Sequence, residues 1–402
     1  MAIKIGTGIG KGGTPFQAGE TAARQAIDQI GAEQCDLVLV FSAAKFDLVE
    51  LIKGIRTITG EAKLVGGTTY GEIFNGGQET GTVIVMCMKT VPNSGAFPNS
   101  GVAAKIVTAF CKGLKTDSRR VGVQLAEQLI QGISIPVKGT MIILSDGSGG
   151  NVSALIRGIY DTVGAGVQIL GGSFANDINI EVTYQFFNEE IFTDGVCGVY
   201  LPPEIQIGVG IKHGWFPLGD LMLVTKAREN ILYELDNRPA AEVYTEKFNI
   251  VESDVTQEVP VDPDNLDYPL GIFEFGGGYS IRQLYSNTPE RGIICYGEIP
   301  QNAMVSLMWQ TKKTLIDAVE EAALKTISMM AGKKIKAVLV FDCVSRFLLL
   351  EKDSVREIEA LRKVFGEEIP IFGFYTFGEI GVLEGGPPRF HNKTVVVCAI
   401  GE

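Results

Sequence analysis

Val338-Leu339-Val340-Phe341-Asp342-Cys343-Val344-Ser345-Arg346 and, after a helical segment, Ile371-Phe372-Gly373-Phe374-Tyr375-Thr376-Phe377-Gly378-Glu379-Ile380 are the stretches that decide how this chain folds. Each is a short apolar run that breaks into polar residues. An unbroken apolar run is the pattern of a strand buried on both faces. The polar break marks the strand's end at a surface. Two such strands as parallel neighbours put both breaks on one edge of the sheet, the edge where open α/β sheets bind ligands.

The same order of elements occurs three times. Working back from the C-terminus, the third copy has a helix over 311–330, a strand over 337–341, a helix ending near 365, a strand over 369–372 and a closing strand over 394–400. The first copy has helices over 16–30 and 47–58, strands over 37–41 and 62–65, the break Gly66-Gly67-Thr68-Thr69-Tyr70-Gly71-Glu72-Ile73 and a closing strand over 82–88. The second has helices over 118–131 and 152–163, strands over 141–144 and 167–170, the break Gly171-Gly172-Ser173-Phe174-Ala175-Asn176-Asp177 and closing strands over 182–187 and 195–201. Thr69-Tyr70-Gly71-Glu72-Ile73 against Thr376-Phe377-Gly378-Glu379-Ile380 is the clearest internal match. Repeats of this length are whole α/β units rather than solenoid turns. The expected fold is α/β in two domains of repeated β-α-β-α-β units. Residues 1–202 hold two repeats. Residues 203–402 hold a β-rich segment at about 203–300, with an acidic, Pro-rich surface loop over 254–267, and the third repeat at 301–402.

Composition narrows the function. Among 402 residues, 46% are hydrophobic and 20% charged, the balance of a well-filled globular protein. A net charge of -12 argues against nucleic acid and against an anionic membrane surface. No apolar run is long enough to span a bilayer, and the first residues lack the apolar core of a signal peptide. Seven scattered cysteines without a C-x-x-C pair suit reduced thiols in the cytoplasm. Gly8, Gly10 and Gly13 form a G-x-G-x-x-G after a strand over 2–6, but no acidic residue ends the next strand and Lys11 is followed by Gly12. The run therefore reads as a turn before a helix rather than a nucleotide site.

Leu37-Val38-Leu39-Val40-Phe41, Gly66 to Glu72, Asp146-Gly147, Gly150-Asn151 and Gly171-Gly172 with Asp177 resemble the N-terminal domain of the FIST family. Glu234-Leu235-Asp236 with Pro239-Ala240, Phe341 to Arg346, Gly373 to Ile380 and Phe390-His391-Asn392-Lys393-Thr394 resemble its C-terminal domain. The resemblance covers nearly the whole chain. It implies an intracellular, non-enzymatic signal-input protein that binds small ligands, with amino acids the suggested class. No kinase or cyclase segment accompanies these residues, so the expectation is a separate partner, a histidine kinase or another signalling protein. One branch of the family implies a haem-containing nitric-oxide sensor; haem is the alternative cofactor, with His391 as its ligand.

An amino acid offers a carboxylate and an ammonium. Arg346 suits the first, bidentately, and Glu379 the second. Thr376 and Tyr375 add hydroxyls, and Glu72 holds the matching position in the first repeat. Replacing Arg346 is then expected to abolish binding and leave the fold intact. The competing reading pairs Arg346 with Glu379 across adjacent strand ends. The Asp146–Asn151 turn offers backbone N–H groups to an anion or simply caps a helix. Cys343 is a nucleophile in a third reading, an enzyme, and a small buried thiol in the default one. His391 reads by default as a turn residue whose ring bonds a backbone carbonyl before the closing strand, and His213 as a strand-end residue, though it is the other possible ligand.

Overall fold

The computed structural model describes residues 2–32, 34–91, 105–133, 136–176, 182–248, 268–274, 277–383 and 385–402. Each repeat builds a sheet to one plan: an edge strand, the closing strand, and two parallel strands. In the first sheet these are Ala2–Gly10, Val83–Val91, Leu37–Ala43 and Lys63–Thr69. In the second they are Val107–Lys112, Gly195–Leu201, Gly139–Ser145 and Val167–Ser173. In the third they are Gln206–Lys212, Val395–Gly401, Ile335–Cys343 and Ile371–Thr376.

The sheets are then completed by exchange. The hairpin strands Glu72–Phe74 and Gly77–Glu79 of the first repeat join the third sheet. Gln185–Phe187 and Glu190–Phe192 of the second join the first, and Glu379–Gly381 and Arg389–His391 of the third join the second. The exchange closes a ring of three. Its register repeats: Glu72 faces Phe374, Gln185 faces Gly67 and Glu379 faces Gly172. Each facing residue follows a glycine, Gly373, Gly66 or Gly171, whose Cβ would lie 1.9–2.0 Å from the carbonyl oxygen of Val340, Val40 or Ile143 on the parallel neighbour.

The inner faces of the three sheets share one core. Leu39, Phe41 and Val65 meet Ile142, Leu144 and Phe174 and also Leu339, Phe341 and Phe374. The Phe374 ring is 4.5 Å from Phe41, 5.6 Å from Phe341 and 5.7 Å from Phe174. Helices cover the outer faces: Pro15–Ile30 and Leu48–Thr59, Ser118–Leu129 and Val152–Val163, Lys312–Met330 and Val355–Phe365. Burial on both faces is why these strands read as unbroken apolar runs. Among the described residues no helix is long and apolar enough to cross a membrane.

Two expectations change. The glycine run is not a turn from Gly6: the strand continues to Gly10. A Cβ at Gly6, Gly8 or Gly10 would stand 2.1 Å from the carbonyl oxygen of Ala26, Ala22 or Ala18, so the glycines let the strand press onto its helix. Residues 206–212 are not part of the β-rich segment; they are the edge strand of the third sheet. The segment that departs from the repeat runs instead from Phe216–Arg228 to Met304–Trp309, has its own sheet, and has its own core of Val224, Leu232, Leu270, Ile293 and Leu307. The loop over 254–267 and Asp177 lie outside the described residues.

Candidate functional site

Side-chain alternation along the strand ends divides the residues singled out in the sequence. Asp342 and Tyr375 turn toward the helix layer, where Tyr375 packs on Phe347 with ring centres 4.8 Å apart. Arg346 is fully buried in that layer. Its Nε lies 2.8 Å from Asp342 Oδ1, an ion contact without hydrogen-bond alignment. Its Nη2 donates to Glu357 Oε1 at 2.5 Å and to Leu315 O, and its Nη1 to His213 O. Burial, with Glu357 beside it, holds the Asp342 carboxyl well above the usual range, and Arg346 pulls the other way. Arg346 therefore neither pairs with Glu379 nor stands at an open sheet edge.

Glu379, Thr376 and Cys343 face the inner side, and Glu72 does so in its own repeat. Thr376 Oγ1 meets Glu379 Oε1 at 2.5 Å, and Thr394 N donates to Oε2 at 3.1 Å. Thr69 Oγ1 and Thr82 N make the same two bonds to Glu72, at 2.5 and 3.1 Å. Both carboxyls are fully buried, and burial pushes each up to about 8 against those hydrogen bonds. The repeated Thr-x-x-Glu is thus a side-chain clasp that holds the chain as it crosses to the next sheet.

Cys343 is 6% exposed, and burial, then the Glu379 charge, pushes its thiol up to about 12. Ser345 Oγ donates to its sulfur at 3.2 Å. This setting disfavours the thiolate that cysteine chemistry needs. His391 is buried with Nε2 3.2 Å from Gly381 O, and burial, then Arg282, lowers it to about 3. The ring is 1% exposed and its Nε2 faces a backbone carbonyl, so as placed it does not fit an axial haem ligand. His213 is buried too, its Nδ1 accepting from Trp215 N.

The sequence reading missed Glu357, Arg282 and Lys393. Glu357 was readable: it shares the buried face of its helix with Ile358 and Leu361. Arg282 donates to Phe390 O and Glu298 O, and Lys393 is fully buried 4.8 Å over the Trp215 ring, contacts between distant segments that no local pattern shows.

An open cleft of about 1170 Å³ lies beside these networks, between the second repeat and the β-rich segment. It is lined by the Asp146–Asn151 turn with Phe377 beside Gly147, and by Glu229, Asn230, Tyr285 and Tyr296 of the β-rich segment. The turn is braced from within: buried Asp146 accepts from Ser148 N, Thr183 Oγ1 and Asp194 N. Asn151 caps the helix Val152–Val163 through Ala154 N and donates across the cleft to Glu298. Arg157 holds Glu298 with two bonds, at 2.6 and 2.8 Å. Phe377 N donates to Ser173 O and Ser173 N to Gly378 O. The loop singled out in the sequence thus reaches an open surface through Phe377, not through its polar side chains.

The FIST N domain profile matches residues 36–238 and the FIST C domain profile residues 240–382. This chain belongs to the FIST family. FIST domains are sensory domains that bind small ligands. The uncharacterized protein MJ1623 of Methanocaldococcus jannaschii is 26% identical over 172 residues, covering 39% of this chain and 33% of that protein. The match therefore spans about a third of that relative's length. Among solved structures, a chorismatase aligns over 100% of both chains at 9% identity with a TM-score of 0.38. A cyanuric acid hydrolase aligns over 99% of this chain and 100% of its own at 7% identity with a TM-score of 0.36.

Proposed function

We propose that this FIST protein senses a small polar ligand held in the cleft between the second repeat and the β-rich segment, and passes the signal to a separate partner. The cleft carries the reading. It has room for a small molecule and is walled by two separately built parts of the chain. An amino acid suits it: exposed Lys115, lying over Gly149, and exposed Glu229 line the same cleft, so a zwitterion meets charges of both signs. Arg346, Tyr375, Thr376, Glu379, Cys343 and Glu72 serve this site from behind. They fix the strand ends from which Phe377 projects. A histidine kinase is one partner of the kind proposed. The buried free cysteines fit the cytoplasm.

The test is a thermal-shift panel of the twenty amino acids and small carboxylates on the wild type and on Ser286→Trp, which fills the cleft from its β-rich wall. A ligand at 100 times its dissociation constant stabilises by about 2.7 kcal/mol, a shift of a few degrees. The expected result is a hit in the wild type that Ser286→Trp loses. A compound that shifts both proteins equally places its site elsewhere and overturns the reading.

A further inference from the structure

We infer that the ligand carries a planar ring, taken up between Phe377 on the scaffold and Tyr285 and Tyr296 on the β-rich segment; the inference rests on the cleft as the ligand site. Three observations carry it. The first is placement: Phe377, beside Gly147 on the scaffold, and Tyr285 and Tyr296 on the β-rich segment line the same cleft. The second is that none of the three belongs to any of the hydrophobic cores, and Tyr285 is 46% exposed. Phe390, the other aromatic residue in the lining, is 6% exposed and belongs to the core of the second repeat, so it packs and does not recognise. The third is rigidity. Tyr285 and Tyr296 stand edge to face at 5.0 Å and 69°, each limiting the other's rotation. Phe377 sits on a turn pinned by backbone bonds to Ser173 and by the Thr376–Glu379 clasp.

Single exposed aromatic residues are ordinary on protein surfaces. Aromatic side chains brought to one cleft by two separate parts of the chain offer a slot instead. Such a slot favours a flat π-system, because offset and edge-to-face contacts with a ring add to the area buried. Ser148, Asn230 and Ser286 add polar groups to the same lining, suited to polar substituents on a ring. The chemical class is therefore a small aromatic or heteroaromatic molecule with polar or charged substituents.

The experiment titrates the full chain with L-phenylalanine, L-tryptophan and benzoate, and with the ring-free or saturated counterparts L-leucine, L-glutamate and cyclohexanecarboxylate. It reads melting temperature and dissociation constant for the wild type, Tyr285→Ala, Phe377→Leu and Ser286→Trp. The expected result is that at least one ring compound binds about tenfold or more tightly than its saturated counterpart. Tyr285→Ala and Phe377→Leu then each weaken that compound by roughly tenfold, while their melting temperatures without ligand stay close to the wild type's. Binding of a ring-free compound, lost in Ser286→Trp but unchanged in Tyr285→Ala and Phe377→Leu, overturns the ring and leaves the cleft standing. Ring compounds that bind Ser286→Trp as well as the wild type overturn the cleft and the ring together. No binding of either class by the wild type does the same.

Discussion

Arg346 has no exposed surface, and its charge is answered by Asp342 and Glu357 in the same dry layer. Breaking such a buried group by removing one member costs about 3–5 kcal/mol. Arg346→Ala should therefore lower the urea midpoint sharply; an unchanged midpoint would contradict this role. The sequence expectation ran the other way, loss of binding with the fold intact. It identified the residue correctly as special and misjudged the direction of its side chain. Position 346 follows a strand end by one helical turn, and only the packed helix Val355–Phe365 shows that the guanidinium meets Glu357.

Glu72 and Glu379 behave differently. Both fold with carboxyls near 8, above the ordinary value. The folded state then holds a proton that the unfolded chain releases above about pH 4.5. Their contribution is fully present below that pH and is lost as pH rises toward 8. Denaturation of the wild type between pH 5 and 8 should show falling stability, and Glu379→Gln should flatten the fall. Equal slopes in the two proteins would contradict the assignment.

Among the elements, the three exchanged hairpins set the architecture. Each crossing needs a glycine beside it, because the parallel neighbour's carbonyl oxygen occupies the space of a Cβ. Gly373→Ala should cost at least the ~1–3 kcal/mol typical of overpacking, read as a drop in melting temperature. A drop of less than a degree would contradict the close approach. The repeat was legible because Thr69-x-x-Glu72 and Thr376-x-x-Glu379 make the same clasp. The exchange was not, because hairpin sequence does not say which sheet a hairpin joins. The third edge strand was legible as a β run over 205–211 but was assigned to the β-rich segment. Ile207-Gly208-Val209-Gly210-Ile211 repeats the Gly-x-Gly rhythm of residues 5–9 for the same reason. A Cβ at Gly208 or Gly210 would meet the carbonyl oxygen of Thr326 or Ala322, as those of the first strand meet their helix.

At the scale of the whole molecule, the exchange ties both halves into one scaffold, since the first repeat completes the third sheet and the third completes the second. The β-rich segment is the part that lies outside this lock. It meets the scaffold through Ile281 and Met308, which pack into the core of the third repeat, and through a polar seam: Glu298 with Asn151 and Arg157, Arg282 with Phe390 O, Gln283 N with Asn392, and Glu274 with Arg389. The cleft opens in that seam, so a ligand there bridges scaffold and segment and biases how they sit together, which is what a sensor has to transmit. The apolar runs made the scaffold legible in the sequence. The seam was not, because its partners lie up to 147 residues apart and neither side has a periodic pattern of its own.

Hydrogen exchange of the full chain, with and without the tightest compound from the panel, tests that bridge most directly. The prediction is slowed exchange in two separate stretches at once, residues 148–154 on the scaffold and residues 284–297 on the β-rich segment. Protection confined to one of those walls, or appearing only away from both, would contradict a ligand held between them.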